Sequence, residues 1–462
     1  MAVRGFQVAV SALTLVTGVS VTSCRQVQET RAASDKYRLV WNDDPTSTMT
    51  IIWDQLIGER SVVLYGKEDS GREYWKYPNE QAPTRRLVDY YGMNTHYARL
   101  QNLEPDETYY FVIQDSVGVS DRFYFRTAPD EPKAFTFIAG GDTKSFDEPL
   151  EAGRTSNRMV AKLRPLFVLF NGDFTSGDGT YPDRWHQWLM DWDSLTTTSD
   201  GRKIPIVPVQ GNHENGNRSI LNKIFDAPLQ LGDSTNVYYS LSFGNGLLHL
   251  IALNSEIEEG EMQREWLEAD LEAHRDFTFQ IAGYHKPFRP HTSSKSENDY
   301  QYDQWAGLFY DYGLDVSRDA DSHMHKITYP LRPSNDETSE QGFVRDDEKG
   351  TLFAGEGAWG AKPRTNDDDK SWTFQSGSFN QIKWIHVMPA DVDQPAFIEI
   401  FTVITSQYDE AGNQTFFVDE VVDSREENVF SIPVNINLYR GSDSRWSVKY
   451  PFYLNTQPPD VP

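Results

Sequence analysis

Acidic, amide and imidazole residues recur between Asp142 and His325 at the ends of short apolar runs. Residues 135–139 (FTFIA) lead into Gly140-Gly141-Asp142, 166–170 (LFVLF) into Asn171-Gly172-Asp173, and 204–209 (IPIVPV) into Gly211-Asn212-His213-Glu214. Further on, 278–282 (TFQIA) lead into Gly283-Tyr284-His285, and the acidic stretch around Asp315 leads into Asp321-Ser322-His323-Met324-His325. Carboxylates, amide oxygens and imidazoles are ligands for hard and borderline cations, and a carboxylate shared by two such cations sets them about 3.5–4 Å apart. A bound pair lowers the pKa of a water toward neutrality and so makes a nucleophile. Each run reads as a buried strand that stops at a ligand, and five loops are expected to converge on one edge of a sheet.

The elements that position these groups follow from periodicity. From Ala134 onward the strand-like runs alternate with segments of helical spacing at 157–164, 183–192 and 261–274, the last with Met262, Trp266, Leu267 and Leu271 on one face. Such alternation predicts an α/β layered domain over 134–405, with ligands at the strand C-terminal ends. Further β-like pieces stand at 350–357, 382–388, 398–404, 415–421 and 445–453. Residues 406–462 carry no chemical motif and are expected to form a C-terminal β extension that closes the core. Upstream, short alternating strands at 37–41, 49–53, 61–65, 97–100, 108–113 and 122–126 are spaced as in a β-sandwich over 36–129. Ala128-Pro129-Asp130-Glu131-Pro132-Lys133 punctuates the boundary.

The 462 residues carry a formal net charge of -26, which argues against nucleic acid as a partner, since phosphate backbones call for a basic footprint. The acidity reads as a solvated surface. The sole cysteine, Cys24, follows an apolar run at 8–21 and Thr22-Ser23. That run is short for a membrane span and reads as a signal peptide over 1–24, and the small residues before Cys24 resemble a bacterial lipobox. Lipidation at Cys24 would anchor an exported periplasmic or cell-surface lipoprotein through a polar tether at 25–35; ordinary cleavage without lipid is the alternative. Either way no disulfide can form, so packed cores must supply the stability.

Two resemblances extend this reading. The run 97–110, with its Leu103-Glu104-Pro105 corner before Tyr109-Tyr110, resembles a fibronectin type III domain and so the small sandwich that precedes the catalytic domain in many purple acid phosphatases. The order Asp142, Gly172-Asp173, Gly211-Asn212-His213-Glu214, His285 and His323-x-His325 resembles the calcineurin-like metallophosphoesterase superfamily over 135–403. The resemblance implies a β-sandwich followed by an α+β layered, αββα-type metallophosphoesterase domain. It places Asp142 and His325 on a first metal, Asp173 as the bridge, and Asn212, His285 and His323 on a second, the ions being Fe, Zn or Mn. His213 would contact the phosphate and protonate the leaving oxygen, and Glu214 would orient His213. His291, six residues after His285, matches a substrate-contacting His, with Lys286 and Arg289 adding positive charge to the same rim. Trp359, in Gly355-Glu356-Gly357-Ala358-Trp359-Gly360, is expected to pack rather than bind.

Two departures stand out. Lys144 occupies the position where most members have a metal-binding His, and an ammonium cannot ligate. Purple acid phosphatases instead place a metal-binding Tyr three residues after the bridging Asp, where this chain has Ser176. The first position is therefore one protein ligand short, to be filled by Ser176, water or a rotated side chain, and no tyrosinate-to-iron colour is expected. Lys144 either holds a substrate oxygen or pairs with Asp147 or Glu148. His96, His186, His249, His274 and His386 read as structural, and Asp178 and Asp367-Asp368-Asp369 as loop charges. The expected activity is hydrolysis of small phosphate monoesters by a metal-bound hydroxide. A phosphodiesterase or nucleotidase, and a surface glycan-binding protein with a degenerate metal site, are the alternatives.

Overall fold

The computed structural model describes residues 34–143, 150–230, 234–258 and 260–417, with Met1, Phe430, 436–439 and 445–446. Cys24, the apolar run before it, most of the tether and Lys144 lie outside the described residues. Among the described residues no helix is long and apolar enough to cross a membrane.

Two four-stranded sheets form the N-terminal sandwich. One orders Ser34–Val40, Met49–Gln55, Met93–Leu100 and Arg85–Tyr90; the other orders Asn79–Gln81, Val62–Gly66, Thr108–Gln114 and Phe123–Arg126. The strand Arg85–Tyr90 is not legible from alternation, because it is a bulged edge strand whose charged side chains are largely exposed. The sandwich shares its core with the next domain. Trp41 meets Phe167 and Phe243 edge-on at 5.9 and 5.6 Å, and Arg85 and Arg99 both pair with buried Asp226 at 2.7 Å. Asp226 caps the short helix Ile220–Phe225 that follows the Asn212–His213 loop, so the sandwich braces that loop from behind.

The second domain stacks two mixed sheets. The seven-stranded sheet orders Ile206–Pro208, Phe167–Phe170, Phe135–Gly140, Asn380–Met388, Phe397–Tyr408 and Gln414–Phe416, with Arg445–Trp446 also paired to Phe397–Tyr408. Its first three strands are parallel and the others antiparallel. The eight-stranded sheet orders Tyr239–Phe243, Leu248–Ala252, Phe279–Gly283, Val316–Arg318, Thr351–Gly355, His325–Pro333 and Phe343–Arg345, with Thr373–Gly377 on His325–Pro333. Helix Leu150–Leu163 packs on strands Asn380–Met388 and Phe397–Tyr408, and helix Pro182–Leu195 sets Trp188 and Trp192 against Phe170. On the other side, Leu267 and Leu271 of Glu261–Ala273 and Trp305 of Asp299–Asp311 join the core over Ile251, Ala282 and Tyr284. The result is helix, sheet, sheet, helix.

Three expectations need correction. The five ligand-bearing strands belong to two sheets, three in one and two in the other, so their loops meet across the gap between layers rather than on one edge. The strand Phe397–Tyr408 runs straight through the 405/406 boundary, so the described part of the C-terminal extension continues the seven-stranded sheet. Met262 is exposed; Gln263 takes its place on the buried face with Leu267 and Leu271. Helix Asp299–Asp311 is not legible in the sequence, because polar and aromatic residues scatter around its circumference and blur the apolar stripe.

Candidate metal centre

The strand ends hand over to the site through unusual backbone. Asp142, Asp173, Asp321 and His323 all hold positive φ, at 65°, 56°, 64° and 54°, a region that non-glycine residues seldom enter. Each follows a parallel strand, Phe135–Gly140, Phe167–Phe170 or Val316–Arg318, and the left-handed step turns its side chain across the strand ends. Glycines make room: a Cβ on Gly357 would stand 1.8 Å from Asp142 Oδ2, and one on Gly211 would stand 2.5 Å from Asp173 Oδ1.

Two buried groups of ligand atoms result. Asp142, Asp173 and His323 form one, and Asp173, His285 and Asp321 the other, so Asp173 belongs to both. In the first, His323 Nε2 lies 3.3 Å from Asp142 Oδ1. In the second, His285 Nε2 lies 3.1 Å from Asn212 Oδ1, 3.3 Å from Asp173 Oδ1 and 3.6 Å from Asp321 Oδ1. Both imidazoles face a main-chain carbonyl with Nδ1, His285 at 2.7 Å from Asn171 O and His323 at 3.3 Å from Lys362 O. A carbonyl only accepts, so Nδ1 carries a proton and Nε2 is the nitrogen turned to the oxygens, the one that a ligating tautomer would offer to a cation. Burial alone would lower the His285 pKa, but the carboxylates of Asp173, Asp321 and Asp142 raise it well above the usual imidazole range. Burial likewise opposes ionisation of Asp321, and His285 and Lys295 outweigh it, pulling that carboxyl below its ordinary value. A cation here competes with a proton.

These contacts shift the expected ligand register by two residues. Asp321 stands beside His285, where the resemblance implied His323, and His323 stands beside Asp142, where it implied His325. His325 is already the first residue of strand His325–Pro333; its Nδ1 meets the amine of buried Lys383 and its ring packs on Phe379 and Tyr439. Asp321-x-His323 and His323-x-His325 have the same spacing, so spacing alone does not choose between them. The strand boundaries at Arg318 and His325 do, because they leave Asp321 and His323 in the intervening loop, beside His285 and Asp142, and put His325 in the next strand.

Glu214 does not orient His213. Its Oε2 accepts from the amides of Gly211 and Asp173 at 2.9 Å each, and its Oε1 accepts from Phe174 N–H at 3.0 Å, so it welds two ligand loops together. Burial and the nearby Asp173 charge raise its pKa well above the carboxylate range. His213 itself faces the centre: its amide donates to Asp173 Oδ1 at 2.8 Å, and Nε2 lies 3.9 Å from Asp173 Oδ2 on a side chain 27% exposed. Asn171, which sequence reasoning passed over, ties the two sheets by donating to Tyr284 O at 3.0 Å and Arg318 O at 3.1 Å while its own carbonyl holds His285.

The expected rim residues are engaged elsewhere. His291 is fully buried, with Nδ1 3.1 Å from Glu356 Oε1 and Nε2 2.7 Å from Thr373 Oγ1. Arg289 pairs with Asp299 at 2.9 Å over the Tyr302 ring, and Lys286 pairs with Glu256 at 2.8 Å. Ser176, expected as one way to fill the first position, accepts a hydrogen bond from Arg184 at 2.5 Å, so a guanidinium stands beside it. Two cations unnoticed in the sequence do reach Asp321: Lys295 Nζ at 2.5 Å from Oδ1, and Arg364, which donates to its carbonyl at 2.6 Å. Trp359 packs as expected, filling the space beside Gly140 and donating to Asn157. His249 and His274 prove to share Asp270, stacked at 3.6 Å in a separate cluster.

The donor set fits divalent or trivalent cations. Asp142 Oδ1 is buried and has no hydrogen-bond partner among the described residues, an arrangement that is costly for a carboxylate unless a cation compensates it.

Residues 34–127 match the family described as purple acid phosphatase, N-terminal domain, and residues 137–324 match calcineurin-like phosphoesterase. Purple acid phosphatase 23 of Arabidopsis thaliana is 25% identical over 308 residues, a match that covers 55% of this chain and 63% of that protein. The matched part is thus less than two thirds of that relative's length. Among solved structures, purple acid phosphatase PPD1 from yellow lupin (Lupinus luteus) superposes with a TM-score of 0.65 at 14% identity, covering 80% of this chain and 72% of that one. The structure of PhoD gives 0.60 at 10% identity, covering 84% and 90%. At these identities the two structures speak to the fold.

Proposed function

We propose that this chain, a purple acid phosphatase-like metallophosphoesterase, hydrolyses small phosphate monoesters at a two-cation centre. The observation that carries this reading is the buried Asp173 carboxylate, which belongs to both ligand groups as a bridge must. Asp142, Asp173 and His323 would hold one cation, and Asp173, Asn212, His285 and Asp321 the other. Such a pair, when bound, acidifies a water and offsets charge on phosphoryl oxygens.

The chain's own residues do the rest. The amides that Glu214 accepts and the carbonyls that orient His285 and His323 fix the ligand loops before substrate arrives, so no reorganisation is needed during reaction. His213, on the open side of Asp173, binds a phosphoryl oxygen and gives a proton to the leaving oxygen. Export and lipidation at Cys24 belong to the same reading, supported by the apolar run at 8–21 and Thr22-Ser23-Cys24. Palmitate incorporation that persists in Cys24→Ala would remove that part.

The central test is phosphate release from p-nitrophenyl phosphate and bis(p-nitrophenyl) phosphate with Fe, Zn or Mn supplied, beside Asp173→Asn. Monoester hydrolysis that drops on the order of a thousandfold in the variant supports the reading. Release from the diester alone makes the protein a phosphodiesterase, and no release by metal-loaded protein overturns the assignment.

A further inference from the structure

We infer that Asp321 is a ligand of the second cation, and that this carboxylate, standing where the resemblance implied an imidazole, turns the second position toward oxygen-seeking cations such as Mn(II) at the expense of Zn(II). The inference rests on the two-cation reading above and goes beyond it to the selectivity of one position.

Three oxygens gather around the single nitrogen of His285: Asn212 Oδ1 at 3.1 Å, Asp173 Oδ1 at 3.3 Å and Asp321 Oδ1 at 3.6 Å. One nitrogen among hard oxygens, with two negative charges, suits Mn, Mg or Ca, whereas each imidazole added favours Zn. Zn exceeds Mn in affinity at most mixed sites, so the effect is a compression of the Zn-to-Mn ratio rather than a reversal.

The backbone of Asp321 is pinned. Its N–H donates to Asp142 Oδ2 at 2.9 Å, its carbonyl accepts from Arg364 at 2.6 Å, and its φ is 64°. The side chain is 5% exposed and is held toward His285. Lys295 is different, because its ammonium reaches the same Oδ1 from a side chain 24% exposed. A monovalent cation at that oxygen competes with a divalent one, and a long, partly solvated side chain can withdraw when the metal arrives. Two ligand positions are tied together as well, since Asp142 Oδ2 holds the amide of the residue that serves the other cation.

The test measures Mn(II) and Zn(II) affinities of the full chain in chelator buffers, Mn by the electron paramagnetic resonance signal of the free aquo ion. It compares wild type with Asp321→His, Asp321→Asn, Lys295→Met and Asp173→Asn. Asp321→His is expected to raise the Zn-to-Mn affinity ratio at one position by about tenfold or more, and Asp321→Asn to weaken Mn by a similar factor. Lys295→Met is expected to tighten Mn several-fold, which a purely structural ion pair would not do. If wild type binds two equivalents that Asp173→Asn loses, yet Asp321→His and Asp321→Asn match wild type, the centre stands and Asp321 is no ligand. If wild type binds neither metal, the two-cation reading fails and takes this inference with it. Should Asp321→Asn not fold, Asp321→His decides.

Discussion

His323 Nε2 lies 3.3 Å from Asp142 Oδ1, whereas His325, two residues further on, turns its Nδ1 to the amine of Lys383. Replacing each histidine by alanine therefore separates ligand from scaffold. His323→Ala is expected to lose one metal equivalent and at least about a hundredfold in kcat. His325→Ala keeps both equivalents and instead loses about 1–3 kcal/mol of stability, because buried Lys383 is left without that partner. Metal content by plasma mass spectrometry and urea unfolding read the two effects, and loss of metal in His325→Ala would restore the other register.

Gly357 sits at φ 87°, and a Cβ there would come within 1.8 Å of Asp142 Oδ2. Gly357→Ala should displace that carboxylate and strain the backbone, costing more than about 1 kcal/mol. Weakened binding at one metal position with a lowered Tm is the expected pair of results. A variant with both unchanged would show that the loop relaxes without disturbing Asp142.

His213 faces Asp173 Oδ2 at 3.9 Å from the open side. If it protonates the leaving oxygen, His213→Gln lowers kcat by about 10²–10⁴-fold for alkyl phosphates. The loss is smaller for p-nitrophenyl phosphate, whose leaving oxygen scarcely needs a proton. Two metal equivalents should remain; equal losses on both substrates would assign His213 to binding instead.

The buried Glu356 carboxylate lies 2.8 Å from Lys326 Nζ and 3.1 Å from His291 Nδ1. Burial opposes its ionisation, but Lys326 and His291 prevail and hold its pKa at about 2, against an ordinary value of 4.5. A depressed folded-state pKa contributes stability that is complete above pH 4.5 and is lost as pH falls from there through about 2. Thermal melts of wild type should drop across that window. Glu356→Gln should be less stable at neutral pH yet flatter below pH 4.5, and parallel curves would remove this contribution.

Much of this was legible because apolar runs and turn residues report strands directly. The runs ending at Asp142, Asp173 and His285, and the Asn212-His213 loop, fall at the ends of the observed strands. Pairing in the third dimension was not legible. His291, Lys286 and Arg289 stand near the right motif, but Glu356 and Glu256, from distant segments, and Asp299, ten residues further on, take them as partners. The converse holds for Lys295, which no motif marks and which the fold brings to Asp321. Register within the acidic loop failed for a third reason: Asp321, His323 and His325 form two overlapping pairs, and the strand boundaries at Arg318 and His325 decide between them.

The left-handed backbone at Asp142, Asp173, Asp321 and His323 has an evolutionary corollary. A side chain in that region costs up to about 1 kcal/mol relative to glycine, so glycine at any of the four would relieve the metal-free chain. Selection for heat resistance alone, applied to a library without a catalytic screen, should accumulate replacements at those very codons and deliver sturdy, inert proteins.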